Sequence, residues 1–494
     1  MTDGPSAVLV YDDSVPVPPQ TIAVAGVNRF GDLLRRRRRL SATVREFALA
    51  AGFDDAVHLG EPRARSVLAA SLRVDTHADR LHLLLPAHLA PTADPEDAVL
   101  FLRKLRQLTE PVALWHGSRP VGAGLLDRDG LLSYLGEGDA ALEAPSAFLD
   151  DVVGALPGVG DGLHLIDLRE LTSILEFLSG SFSARHFNQV AHDRHYVVKR
   201  SSDRRKMHRE HDFWQLLPPA MQPFFVQPFD LHDEDDGGAS YRMRRVFVPD
   251  LAVQWVHGAL TAPQLDAALD RLFHVLEVRP RREVGTARAA ELAKELFVGK
   301  VRSRVEDLLA LPGGASVEAA LRAGGVPEGI HGLVDRYERL WSRTGCGRGH
   351  SELAITHGDL CFSNILYSPA TQSLELIDPR GATEEAELFS DPLYDVAKLS
   401  HSILGSYDFI VAGLYELVHG EDLVLSLQLD PAPDAALQQR FLPMLERGGF
   451  PLELVRACEV SLFLSMLPLH MDNPKRVVAF AIRARDILDE LGAR

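Results

Sequence analysis

Apolar positions recur with two different periods along this 494-residue chain, and the change from one to the other marks its organisation. In the first quarter, short apolar runs alternate with helical patterns. Thr21 to Val27 reads as a buried strand entering a glycine turn, and Leu33 to Ala51 as a helix. Leu81 to Leu85 reads as another strand and Pro95 to Leu108 as a capped helix. Val112 to Trp115 and Pro120 to Leu126 read as two strands around a His-Gly turn. The alternation predicts an α/β domain over 1–135. Gly136 to Gly162 is rich in Gly, Ala, Asp and Pro and breaks the pattern, which predicts a linker over 136–162.

Beyond it, a sheet-bearing segment is expected over 163–250. Leu178-Ser179-Gly180-Ser181-Phe182-Ser183 lies between apolar segments, as a hairpin turn over phosphates would. Tyr196-Val197-Val198-Lys199 reads as a strand ending in an ammonium, which needs a partner because an unpaired buried charge is costly. Met207, Glu210, Phe213, Trp214 and Leu217 fall at helical spacing, so Glu210 shares the inward face and can pair with Lys199. Tyr241 to Phe247 reads as a strand, followed by a connection around Val248 to Leu251. From Ala262 the period is helical: Leu265 to Val278, Ala287 to Leu311, Val317 to Thr344, and later Pro451 to Leu467 and Arg476 to Leu491. Lys300 and Arg304, one turn apart, could meet an anionic substrate, although they read more simply as solvated helix charges.

The densest chemistry lies between Ala354 and Leu399. Asp359 in His357-Gly358-Asp359 is followed five residues later by Asn364, and a returning strand ends at Ile377-Asp378. Ile365-Leu366-Tyr367 and Leu374-Glu375-Leu376-Ile377 flank a Ser-Pro turn, which predicts a hairpin bringing Asp378 beside Asn364. An Asp base with an Asn and a second Asp for magnesium is the arrangement phosphoryl transfer needs, because Mg²⁺ prefers hard oxygens and takes few from protein. Singly, each residue is also an ordinary capping, turn or strand-end residue. Their ordered combination is what points to chemistry.

At these residues, and at Asp391-Pro392-Leu393-Tyr394-Asp395-Val396-Ala397, the chain resembles the aminoglycoside phosphotransferase and choline kinase superfamily. Asp391 is expected to cap the helix that starts at Leu393 and to hydrogen-bond back toward the loop, with Asp395 facing the same side one turn later. After the N-terminal α/β domain, the resemblance implies a two-lobed protein-kinase-like fold, with an N-lobe over 163–250 and a mainly helical C-lobe over 251–494. It implies ATP and Mg²⁺, with Asp359 as catalytic base and Asn364 and Asp378 as metal ligands. Lys199, Glu210, Ser181, Phe182 and Ser183 are implied at the nucleotide, with adenine stacking near Val248 to Leu251. Cys361 stands where the superfamily often carries His, and Pro379-Arg380-Gly381 also departs from the commoner filling. The acceptor is therefore open: a hydroxyl of a small polar metabolite, first a sugar or sugar derivative, alternatively an aminoglycoside or amino alcohol. The motif fillings resemble those of phosphotransferases associated with surface-polysaccharide synthesis. Residues 1–135 resemble a degenerate sugar nucleotidyltransferase lacking the Gly-rich phosphate signature, which suggests regulatory or structural duty.

Composition narrows the remaining classes. A net charge of −17 argues against nonspecific binding to nucleic acid or anionic membrane, and Arg35 to Arg39 then reads as a solvated, locally paired run. Three well-separated cysteines fit neither a disulfide framework nor a zinc site. Without an evident signal peptide or membrane span, a cytoplasmic protein is expected. A nucleotide-binding pseudokinase is the alternative from another class, and the complete Asp359, Asn364 and Asp378 set speaks against it.

Overall fold

The computed structural model describes residues 6–492 apart from 36–37, 61, 75–79, 118, 137–152, 154, 171–172, 175–176, 179–187, 193–194, 236, 346–349 and 421–423. The chain forms two compact units, Met1–Ser181 and Phe182–Arg494, each of mixed α and β structure.

The first unit is built on a six-stranded sheet. Ala7–Asp12 is flanked in parallel by Asp55–Leu59 and Leu81–Pro86. Arg119–Leu126 follows antiparallel to the latter, then Val112–His116, and Gly158–Gly160 runs parallel at the edge. Ala7–Asp12 is buried along its whole length, as a central parallel strand must be. Asp12, at its end, accepts from Tyr134 Oη at 2.7 Å and pairs with buried Arg65. Asp13 accepts from Gly31 N at 3.1 Å and faces His58 at 3.2 Å. These carboxylates are engaged by protein groups, which fits a structural duty.

Three expectations for this unit need correction. Leu33 to Ala51 is not one helix: Leu34–Arg35 pairs with Arg38–Arg39, and the helix is Leu40–Ala50. Thr21 to Val27 is not a strand: Pro19–Ala25 is a short helix with proline in its first turn and Gly26 in the left-handed conformation at its end. Proline preset for a first turn and glycine at a helix terminus outweigh the apolar run. Nor is 136–162 wholly a linker with the next domain beginning at 163. Gly158–Gly160 pairs with Val112–His116, Leu165–Asp167 pairs with Leu89–Pro91, and the first unit runs to Ser181. Glycine backbone pairs as readily as any other at an edge strand, but it carries no hydrophobic period.

The second unit opens with a four-stranded antiparallel sheet in the order Asn188–His192, Tyr196–Ser201, Ala239–Arg244, Pro228–Asp233. Between its second and third strands in sequence comes the helix Arg204–Leu216. Asp203 caps it by accepting from Lys206 N at 3.0 Å, and Met207, Glu210 and Phe213 are buried on one face. Asp250 then caps Leu251–Val256, and the rest is mainly helical. The stretch expected as one helix over 317–344 is two, Gly314–Ala323 and Gly329–Thr344, broken at Gly324-Gly325 and Pro327. Ile365–Ser368 and Ser373–Leu376 form the expected hairpin, with Ile365 opposite Leu376.

Candidate functional site

The segment after strand Glu352–Ile355 is held by a carboxylate buried behind it. Asp395, in the helix Leu393–Ile403, accepts from the backbone N–H groups of His357 and Gly358, both at 2.9 Å. Arg279 supplies the counter-charge at 3.1 Å and also donates to Pro392 O at 2.8 Å. A buried carboxylate so surrounded is stable because its charge and lone pairs are both answered. The His357 ring lies 5.8 Å from that of Phe225 in a stacked arrangement. Its Nε2 lies 2.9 Å from Ile377 O, and its Nδ1 accepts from Asp359 N at 3.2 Å. These partners assign the proton to Nε2, and burial holds the imidazole below its ordinary pKa. His357 is thus a neutral staple between the loop and the returning strand.

Asp359 is oriented from two sides. Lys398 Nζ lies 2.8 Å from Oδ1, while Asn364 Nδ2 donates to the Asp359 carbonyl at 2.8 Å and to Oδ2 at 3.2 Å. Burial opposes the Lys398 charge, but Asp359 and Tyr394 outweigh it and hold its pKa above the usual lysine value. Tyr394 in turn accepts from Lys300 Nζ at 2.9 Å. Burial would raise the Tyr394 pKa, yet the Lys398 and Lys300 ammonium groups bring it below the ordinary phenol value.

The second cluster is centred on Lys199, which is 2% exposed. Its Nζ lies 2.6 Å from Glu210 Oε2 and 2.9 Å from Asp378 Oδ1, and Tyr241 Oη donates to Glu210 at 2.9 Å. Desolvation lowers the lysine pKa, but Asp378 and Glu210 more than offset it, so the ammonium stays charged. Asp378 reaches this position through backbone at φ +56°, a conformation uncommon for a residue with a side chain. Gly381, at φ +83°, lets the following loop lie on the helix Arg204–Leu216: a Cβ there would come 2.7 Å from Arg209 C and 2.8 Å from Glu210 N. Ala382 N donates to Arg209 O at 2.9 Å and Arg209 Nη2 to Gly381 O at 3.0 Å, which fixes the docking.

The fold therefore brings Lys199, Glu210 and Asp378 into one ionic cluster and Asp359 with Asn364 into a second. Ile377 N, donating to Asn364 O at 3.0 Å, ties the step before Asp378 to Asn364. Ser181, Phe182 and Ser183 lie outside the described residues. Asn364 spends its amide nitrogen on Asp359, and among the described residues its side-chain oxygen and the second oxygen of Asp378 make no hydrogen bond. Among the described residues no group of three His, Cys, Asp or Glu side chains stands ready for a metal. One amide and one carboxylate oxygen nevertheless fit a Mg²⁺ whose other ligands are phosphate and water oxygens.

Lys398, Tyr241 and Arg279 escaped the sequence reading, and the bond back to the loop expected of Asp391 is made by Asp395 one turn later, Asp391 accepting locally from Leu393 N at 2.9 Å. Lys398 and Asp395 did leave a trace, as charges within a helix whose other positions are largely apolar. Lys300, read most simply as a solvated helix charge, is instead half-buried against Tyr394. Arg304 has only a 3.7 Å approach to Asp307.

No protein-family model matches the chain, and no curated protein matches it. Among solved structures, it is similar to a thermostable mutant of aminoglycoside phosphotransferase APH(4)-Ia in its apo form, at 14% identity. That alignment covers 63% of this chain and 96% of the other, with a TM-score of 0.36. It is similar to aminoglycoside phosphotransferase APH(3'')-Id from Streptomyces rimosus at 15% identity, over 57% and 92% of the two chains, with a TM-score of 0.33. The GDP complex of wild-type aminoglycoside 2'-phosphotransferase-IIIa aligns at 14% identity over 63% and 91%, with a TM-score of 0.36.

Proposed function

We propose that this protein is an ATP-dependent phosphotransferase of kinase-like fold that moves the γ-phosphoryl group to a hydroxyl of a small polar metabolite. The observation that carries the reading is the pairing of two built clusters in one unit. One is an oriented carboxylate, Asp359 between Asn364 and Lys398. The other is a buried Lys199 answered by Glu210 and Asp378. Lys199 meets the nucleotide phosphates, with Glu210 and Tyr241 holding its head in place. Asn364 and Asp378 are the residues that would hold Mg²⁺, which would neutralise charge on the phosphates. Asp359 accepts the proton of the acceptor hydroxyl as its oxygen bonds to the γ-phosphorus. The bond from that phosphorus to the bridging oxygen breaks, and ADP leaves with its electron pair. Lys398 fixes the carboxylate and compensates the local charge.

Acceptor-dependent release of ADP, measured with sugars, amino sugars, amino alcohols and aminoglycosides, tests this function. At least one hydroxyl acceptor is expected to yield a phosphorylated product. Nucleotide binding without transfer to any member of a broad panel would instead favour a binding module.

A further inference from the structure

The helix Leu393–Ile403 meets the loop of Asp359 at three successive points. Asp395, Lys398 and Ser402 stand three and four residues apart, so they form one polar stripe along the helix. Asp395 accepts from His357 N and Gly358 N, both at 2.9 Å, and Lys398 Nζ lies 2.8 Å from Asp359 Oδ1. Ser402, itself fully buried, accepts from Phe362 N at 3.0 Å. The stripe therefore follows the loop in order, before Asp359, at it and beyond it.

The third contact has its own support. Phe362 is buried, its ring edge-on to that of Trp255 at 5.9 Å, so its N–H has no solvent to turn to if the Ser402 hydroxyl is removed. A serine inside a helix commonly turns its proton back to a carbonyl four residues earlier, but the Ser402 proton goes to Asp408. The chain returns Asp408 to this place through a turn that few residues could make. A Cβ on Gly405 would come 2.6 Å from His401 O and 3.0 Å from Phe463 Cε2, and Ser406 takes a left-handed φ of +58°. Asp408 is buried beside Phe409, which packs on the other side of Trp255 at 6.4 Å. Its Oδ2 has no hydrogen-bond partner among the described residues. A carboxyl group kept in such surroundings is costly, and it is explained by a bond that an apolar residue could not make.

We propose that Ser402, supported by Asp408, is a positioning residue for the phosphoryl transfer: it fixes Phe362 and so sets where the Asp359 carboxylate stands relative to the acceptor hydroxyl. The inference rests on the phosphotransferase reading and adds two residues to it, neither of which touches the reacting atoms. Phe362 is coupled to Asp359 through the short turn between them, in which Cys361 N donates to Asp359 O at 2.8 Å. Releasing Phe362 N therefore loosens the backbone that carries the base, while the cluster of Lys199, Glu210 and Asp378 keeps its own contacts.

The test uses the full chain and reads the loop and the reaction separately. Hydrogen–deuterium exchange of a peptide spanning 357–364 reports the tether. Turnover with the best acceptor among sugars, amino sugars, amino alcohols and aminoglycosides reports its consequence. Ser402→Ala and Asp408→Leu should each speed exchange in that peptide by about tenfold, the scale of one lost hydrogen bond, while the strands Tyr196–Ser201 and Ala239–Arg244 exchange as before. Each should lower kcat by about tenfold or more, with acceptor KM and MgATP affinity kept. Asp408→Asn, which retains an acceptor for the Ser402 hydroxyl, should recover most of the turnover lost in Asp408→Leu. Combining Ser402→Ala with Asp408→Leu should cost no more than either alone, because the two act through one bond. Unchanged exchange over 357–364, equally faster exchange throughout the second unit, or additive losses in the double variant overturns the proposal, as does unchanged kcat beside faster local exchange. If no acceptor is phosphorylated, the transferase reading is what has failed. Faster local exchange then sustains the tether, and unchanged exchange overturns it.

Discussion

Lys199 is the residue whose surroundings leave least freedom. One ammonium stands between Glu210 at 2.6 Å and Asp378 at 2.9 Å, so removing it leaves a buried carboxylate without its counter-charge. Breaking a buried pair in this way costs roughly 3 kcal/mol or more. Lys199→Met should therefore lower the melting temperature and weaken MgATP binding at least tenfold, as read by thermal unfolding and calorimetric titration. A variant with unchanged nucleotide affinity would remove Lys199 from the site. The Lys199 and Glu210 pair was legible in the sequence, since a lysine ending an apolar strand and a glutamate on an apolar helix face each demand a partner. Tyr241 was not, because a tyrosine in a strand is explained by packing alone.

At the scale of elements, the hairpin Ile365–Ser368 with Ser373–Leu376 could be read from sequence because its determinants are local: a Ser-Pro turn between two apolar segments. The clamp from Leu393–Ile403 could be read only in part: the sequence placed Asp391 and Asp395 on the side facing the loop, but that Asp395 is the one to meet His357 and Gly358, across 38 and 37 residues of chain, is set by packing. The first strand, by contrast, lay open in the sequence as the apolar run Ala7-Val8-Leu9-Val10-Tyr11 and went unread, while the later run Thr21 to Val27 is claimed by Pro19 and Gly26 for a helix. Another buried acid gives an element-level prediction. Asp408, in the first turn of Tyr407–Val411, is 3% exposed, and burial pushes its pKa up to about 7. The folded value lies above the unfolded one of about 3.9, so its contribution is full below that value and is lost as pH rises to the folded pKa. Asp408→Asn cannot ionise. Its stability relative to the unsubstituted protein should rise between about pH 4 and pH 7, by at most ~1.4 kcal/mol per pH unit, and then level off. Melting curves at pH 5 and pH 8 check this, and a pH-independent difference would contradict the assignment.

For the molecule as a whole, each unit owns a sheet and a buried core. The first buries Val10, Leu84 and Leu126 around its six-stranded sheet, and the second buries Met207, Tyr241 and Met243 beneath its four-stranded one. A unit with its own core can fold alone. Residues 182–494 expressed separately should be soluble, melt cooperatively and bind MgATP with an affinity close to that of the full chain. An insoluble fragment beside a well-behaved full chain would contradict this independence. The overall class, α/β followed by a sheet and a helical region, was visible as the change from alternating runs to helical spacing. The boundary was not, since Gly158–Gly160 joins the first sheet without any side-chain pattern to announce it.

The central claim is that Asp359 takes the acceptor proton while Asp378 serves the metal-bound phosphates. Asp359→Asn keeps the size of the side chain and much of its hydrogen bonding but removes the base. Acceptor-dependent turnover and Mg²⁺-dependent nucleotide affinity should be measured together in this variant and in Asp378→Asn. Asp359→Asn is predicted to lose ~10²–10⁴-fold in turnover with MgATP affinity retained, whereas Asp378→Asn should also weaken the magnesium-dependent part of binding. Near-unchanged turnover in Asp359→Asn would contradict the account.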